Sequence, residues 1–136
     1  MSLELNSPEF LERINEAYYV WFATVREDGM PQPTPVWFVY ENDSFLIYSS
    51  PKAQKVKNVQ QNGKVALTYA SDPHADDYVV VMGEATIDPT VPPVDQNAAY
   101  LVKYDAGIVD LGMTRESFTA RFSTAIRVRP LKVRGD

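Results

Sequence analysis

The sequence predicts a mainly β protein with peripheral helices, folded as a small six-stranded antiparallel barrel. Two observations lead there. Apolar, β-branched and aromatic runs recur at residues 18–26, 36–40, 45–50, 65–70, 78–87 and 123–133. Turn-forming pairs (Asp28-Gly29, Asn42-Asp43, Asn62-Gly63) separate several of them at short spacing. Such close punctuation favours neighbouring antiparallel strands over parallel strands joined by helical crossovers.

Each element has a local reason. Ser7-Pro8-Glu9 opens a helix: a capping hydroxyl, a proline suited to the first turn, and an acidic group complementing the dipole. Phe10, Leu11, Ile14 and Ala17 continue it at helical spacing. Tyr18–Arg26 reads as the first strand, turned by Asp28-Gly29. Pro31, Pro33 and Pro35 then stand at alternate positions. They remove backbone donors on one side only, which suits an edge or bulged strand entry and leaves Val36–Tyr40 free to pair. Asn42-Asp43 turns the chain into the strand Phe45–Ser50. Ala53–Gln61 is a short helix stopped by Asn62-Gly63, and Val65–Ala70 is a strand. A polar loop, 71–76, leads to the strand Tyr78–Ile87, whose interior Gly83 marks a bulge or a close approach. Residues 91–107 and 114–122 read as helices, the second capped by Thr114. Ser123–Val133 closes the chain as a strand. Its apolar parity shifts across Pro130, which predicts a bulge there.

The chain of 136 residues is most simply one domain, 1–136, long enough to bury a core. A net charge of −5 argues against general nucleic-acid binding. No cysteine is present, which removes disulfides, thiolate nucleophiles and cysteine-bound metals. No stretch approaches the roughly 20 apolar residues of a membrane span. The N-terminal residues lack a basic region followed by an apolar one, so a cytoplasmic location is expected.

One junction stands out chemically. The strand 45–50 is followed by Pro51 and then by Lys52, Lys55, Lys57 and Asn58 at the start of a helix. A helix N-terminus offers free N–H groups and the positive end of the dipole, so it seats anions. Lys52 and Lys55, three apart, share a helix face there. The seat suits a phosphorylated ligand or cofactor.

Elsewhere the chain is poor in catalytic groups. His74 is the only histidine and lies between Pro73 and Ala75 in a polar loop, so it reads as loop surface. A histidine-based triad or multi-histidine metal site is therefore not expected, and no metal site is predicted. Asp76-Asp77 reads as a loop-capping pair, and neither G-x-G-x-x-G nor a Walker motif occurs. A chain short of acids, bases and nucleophiles, yet rich in aromatics, suits a site where a bound cofactor carries the reaction. Hydride transfer, which needs no side-chain nucleophile, fits. No catalytic residue is assigned.

Three segments resemble a known family: Ala23-Thr-Val-Arg-Glu-Asp-Gly29-Met-Pro-Gln-Pro-Thr-Pro-Val-Trp37, Tyr48-Ser-Ser-Pro-Lys-Ala-Gln-Lys-Val-Lys-Asn58 and Gly63-Lys-Val-Ala-Leu67. They are similar to the split β-barrel flavin and deazaflavin oxidoreductases, relatives of pyridoxamine 5′-phosphate oxidase with the FMN-binding split barrel. The end, Ala125-Ile-Arg-Val-Arg-Pro-Leu-Lys-Val-Arg-Gly135, resembles the branch that uses the deazaflavin coenzyme F-420. The resemblance implies a homodimer with a cofactor in each of two interface clefts. It implies that Gln32, Thr34, Pro35 and Val36 lie along the ring system and that Tyr48, Ser49 and Ser50 line the strand end beneath the phosphate. Lys52 would pair with the phosphate, with Lys55 reinforcing it and Asn58 contributing. Pro51 stands where flavin-using relatives often carry a second basic residue, which puts F-420 ahead of FMN. The implied activity is hydride transfer between F-420 and an unsaturated small organic acceptor. FMN-dependent oxidation-reduction, or non-catalytic binding of a flavin or haem, is the alternative. Trp21, Trp37, Tyr69 and Tyr78 read as packing residues.

Overall fold

The chain's computed structural model describes residues 3–135. It runs α1 (Pro8–Glu16), β1 (Val20–Val25), β2 (Pro31–Val36), β3 (Val39–Glu41), β4 (Ser44–Ser49), α2 (Gln54–Gln61), β5 (Lys64–Ala70) and β6 (Tyr78–Ile87). A 3₁₀ turn (Val94–Gln96), α3 (Ala98–Asp110), α4 (Arg115–Arg121) and β7 (Thr124–Gly135) complete it. Among the described residues the strands form one antiparallel sheet of seven, ordered β2-β1-β5-β6-β7-β4-β3. Its two edges, β2 and β3, are consecutive in the chain and joined only by Trp37 and Phe38. The sheet must therefore curl until its edges are adjacent, giving an incompletely closed barrel.

Seven strands replace the expected six because Pro31–Tyr40 is two strands. The break lies where Phe38 leaves both ladders. The Phe38 N–H donates to the Tyr104 hydroxyl at 2.8 Å, and the Phe38 carbonyl accepts from that hydroxyl at 2.9 Å and from Lys103 Nζ at 3.1 Å. Groups that a strand would pair with its neighbour are thus satisfied from α3.

The prolines are placed as their spacing predicts. They lie opposite Val25, Ala23 and Trp21, and the neighbouring Arg26–Met30 pair is hydrogen-bonded through the Arg26 N–H. By alternation, each proline nitrogen faces the open edge rather than β1. The ladder to β1 runs unbroken through all three.

The hairpin residues Asn42 and Asp43 both adopt positive φ, 53° and 57°, as a two-residue primed turn requires. The predicted bulge is also present. Met82 pairs with Lys132 and Gly83 with Pro130, leaving Leu131 unpaired. Gly83 is needed there, since a Cβ would lie 2.5 Å from the Arg129 carbonyl oxygen. Gly83→Ala is expected to lower stability by about 1–3 kcal/mol, the scale of an overpacked site. An unchanged urea midpoint would contradict this contact.

The first residues of the predicted helix 91–107 are not helical. Pro92 and Pro93 keep the chain extended, and Asn97 caps α3 by accepting from the Tyr100 N–H at 3.1 Å. The second helix starts as expected, with Thr114 and Ser117 forming a reciprocal capping box.

Two apolar clusters hold the fold. Phe22, Phe38, Phe45, Ile47, Leu67 and Ile126 fill the barrel, joined by Phe10 and Ile14 of α1 and by Val56 and Val59 of α2. Leu46 and Tyr48 point the opposite way from β4, into a second cluster with Tyr100, Tyr104, Ile108 and Phe118 of α3 and α4. Burial on both faces explains why β4 reads as a continuous apolar run.

Candidate functional site

Between the end of β2, the end of β4 and the two outer helices lies a cleft of about 330 Å³. One side is polar: Ser49 and Ser50 at the end of β4, Ala53 at the entry to α2, and Lys55 in its first turn. The other is apolar, built from Trp37, Tyr100, Leu111, Phe118 and Phe122. Pro35 and Val36 border both.

The polar side sets a lysine beside the start of a helix. Ala53, the residue that would cap α2, makes no side-chain hydrogen bond, so the first turn keeps unpaired N–H groups. Lys55 is half-buried, and burial lowers its pKa from the ordinary lysine value. The ion pairs among the described residues join Arg13 to Asp77, Arg115 to Asp105, Arg127 to Asp88 and Arg129 to Glu84; Lys55 is in none of them. An ammonium partly withdrawn from water without a counter-ion is poised to accept an anionic ligand.

The apolar wall is tightly organised. The Trp37 ring stacks on Tyr104 with centroids 4.6 Å apart and a 4° interplanar angle, and on Phe118 at 5.7 Å. Gly107 of α3 makes room for it, since a Cβ there would lie 2.9 Å from the indole. The Tyr48 hydroxyl donates to the Pro92 carbonyl at 2.7 Å and accepts from Asn97 at 3.1 Å. Tyr48 therefore contributes a fixed ring to the cleft, with its hydroxyl engaged elsewhere.

Of the residues singled out from the sequence, the cleft gathers Pro35, Val36, Tyr48, Ser49, Ser50 and Lys55. Lys52 is exposed in the turn ahead of α2 and outside the lining. Gln32 and Thr34 lie on the half-buried side of β2, and Asn58 is fully buried in α2; none of them borders the cleft. Among the described residues, Thr34 Oγ1 is the buried side-chain atom left without a hydrogen-bond partner. Trp37, read as a packing residue, packs and also lines the cleft. Tyr100, Leu111, Phe118 and Phe122 were not singled out at all. Phe118 and Phe122 stand four apart at helical spacing, a signal that marks an apolar face without saying what the face meets.

A wider cleft of about 530 Å³ opens on the outer face of β1, among Glu16, Tyr18, Tyr19, Trp21, Tyr69 and Tyr78. It is aromatic but holds no cation. Tyr18, Tyr19 and Trp21 are 44%, 49% and 47% exposed. His74 is exposed in the loop between β5 and β6, outside both clefts. Among the described residues no group of three or more His, Cys, Asp or Glu side chains is placed to hold a metal ion. Nor is any helix long and apolar enough to cross a membrane.

The same architecture occurs in solved structures. An F-420 reductase is 26% identical, with 96% of this chain and 98% of that one aligned at a TM-score of 0.69. HutZ, the heme storage protein from Vibrio cholerae, is 16% identical over 98% and 95% of the two chains, with a TM-score of 0.66. An FAD-binding protein from Mesorhizobium loti is 16% identical over 99% and 93%, at 0.65. No curated protein matches the sequence. Residues 7–135 match the family described as pyridoxamine 5′-phosphate oxidase. The curled antiparallel sheet, with its edges meeting at Trp37-Phe38, is the split barrel of these proteins, and the chain belongs to the pyridoxamine 5′-phosphate oxidase family.

Proposed function

We propose that this protein is an oxidoreductase that binds coenzyme F-420 and passes a hydride between it and an unsaturated small organic acceptor. The observation that carries the reading is the cleft, where Lys55 and the uncapped start of α2 face an aromatic wall. A phosphate fits the first and a planar ring the second. When bound, F-420 supplies a two-electron hydride carrier.

The chain's own part is binding and orientation. Lys55 holds the phosphate, with Ser49 and Ser50 beside it, and Lys52 adds long-range attraction from the surface. Pro35 and Val36 border the ring, and Trp37, Phe118 and Phe122 exclude water from it. The lining contains no carboxylate or imidazole, so no protein acid is assigned to the transfer. The preference for F-420 over FMN rests on Pro51 and on the likeness to an F-420 reductase.

The partner in this reading is a second copy of the chain, seated on the aromatic face of Tyr18, Tyr19 and Trp21. A contiguous exposed apolar patch is the ordinary mark of an interface. Trp21 pairs across the ladder with Pro35, which borders the cleft, so a copy seated there would cover the cleft's open side.

Fluorescence titration of the apo-protein with F-420 and separately with FMN tests the assignment. Saturable binding of F-420 is expected, and with the coenzyme supplied in its reduced form, repeated turnover with enones or quinones as hydride acceptors. Tighter binding of FMN would move the protein to the flavin side of its family. Binding without turnover would make it a carrier, and binding of neither would overturn the cofactor reading. Haem, added as a third ligand, would report through its Soret band. The cleft offers it no imidazole, because the single histidine lies outside.

A further inference from the structure

Asn58 has a different place from the one the resemblance implies. It is fully buried, and its whole amide is engaged by the protein. Its Nδ2 donates to Thr24 Oγ1 at 2.9 Å and to Gln32 Oε1 at 3.0 Å, and its Oδ1 accepts from Gln54 Nε2 at 2.9 Å. Thr24 and Gln32 are themselves cross-strand partners in the β1–β2 ladder. One side chain from α2 therefore bridges a paired position of two strands.

The bridge matters because of what each end carries. α2 bears the anion seat, and Lys55 stands three residues before Asn58 on a neighbouring part of the helix surface. β2 bears Pro35 and Val36, the cleft's border on the ring side. β2 is an edge strand, held on one flank by β1 alone, and its far end leads into the interruption between β2 and β3 at Trp37-Phe38. The ends of α2 are tied to the neighbourhood of β4 and to β6 by backbone bonds, Ala53 N–H to the Ser50 carbonyl and Ala85 N–H to the Gly63 carbonyl, whereas Asn58 supplies its side-chain hydrogen bonds to the β1–β2 pair. A hydrogen-bonded amide in a buried setting has a single favourable arrangement, and it sets the spacing of the elements it joins.

We propose that Asn58 is a positioning residue. It fixes the anion seat of α2 at one distance from β2, so that a ligand with both a phosphate and a ring meets both sites at once. The idea rests on the cofactor reading above. It gains support from the Gln54 contact, which closes the network inside α2, and from the full burial of Asn58, which keeps its amide out of a ligand's reach.

The test compares ligands with and without the phosphate in wild-type protein and in Asn58→Leu. FMN is set against riboflavin, and F-420 against its phosphate-free deazaflavin. In the variant, the Kd of the phosphorylated ligand is expected to rise about tenfold to a hundredfold, while that of the ring alone stays within about twofold. Equal losses for both ligands, or no loss for either, would overturn the proposal. Hydrogen exchange supplies a readout that needs no cofactor. Amides of α2 should exchange faster in the variant while those of β5 and β6 keep their wild-type protection. Uniform acceleration would mean a general loss of stability and would also overturn it. If wild-type protein bound neither cofactor, the cofactor reading would fall while the exchange experiment still decided whether Asn58 pins α2. Asn58→Ala, which removes the same bonds without adding bulk, serves if the leucine variant does not fold.

Discussion

Lys55→Met is expected to weaken binding of a phosphorylated cofactor by about 1.5–3 kcal/mol, the scale of a hydrogen bond to a charged group. In titration this is about a tenfold to hundredfold rise in Kd. The same substitution should leave thermal stability unchanged or slightly raised. Lys55 is a half-buried ammonium with no carboxylate partner among the described residues, and burial already lowers its pKa. The folded state holds its proton less readily than the unfolded chain does. Below the folded-state pKa this is a penalty on folding, relieved as the pH rises through that pKa towards the unfolded value. Methionine keeps the stem and removes the penalty. A variant that lost stability but kept cofactor affinity would make Lys55 structural and remove it from the seat. Lys52→Ala, expected from the resemblance to cost as much, becomes the informative control. Lys52 is exposed and outside the lining, so its loss should cost less than the loss of Lys55. The reverse order would return the phosphate to Lys52.

Tyr104→Phe should cost about 2–4 kcal/mol of stability although it removes a single oxygen. That oxygen accepts from the Phe38 N–H and donates towards the carbonyls of Tyr18, at 2.6 Å, and Phe38, at 2.9 Å. Phenylalanine leaves the buried Phe38 N–H without its partner, at about 1–3 kcal/mol, and the part-buried Tyr18 carbonyl without its own, at about 1 kcal/mol. The Phe38 carbonyl keeps Lys103. For a chain of this size the melting temperature should fall by roughly 6–15 °C. The effect should reach the cleft as well, because the Trp37 ring stacks directly on Tyr104. A melting temperature within about 2 °C of wild type would show that water replaces the hydroxyl without loss.

Most of the fold was legible because its signals are local. The Asn42-Asp43 turn, the Thr114 cap, the bulge beside Pro130 and the close approach at Gly83 each depend on a few neighbouring residues. The break at Trp37-Phe38 was not legible. It is made by Tyr104 and Lys103, more than sixty residues further on, and no property of Pro31–Tyr40 announces it. The start of α3 differs from the apolar pattern for another reason: Pro93 holds the chain extended and Asn97 caps the helix at Ala98.

The candidate site divides in the same way. Ser49, Ser50 and Lys55 belong to one strand-to-helix junction, so the sequence by itself placed a lysine and two hydroxyls beside a helix start. It also determined the mainly β architecture and the shortage of acid–base groups. The other wall comes from α3 and α4. Phe118 and Phe122 carry the same periodicity whether they fill a core or face a ligand. Only the tertiary structure decided that they meet Trp37 across a cleft, that Lys55 rather than Lys52 turns into it, and that Asn58 is held behind it. Periodicity records which residues leave water. Which surfaces they then touch depends on how the sheet curls and where the helices dock, and that is settled by contacts far apart in the chain.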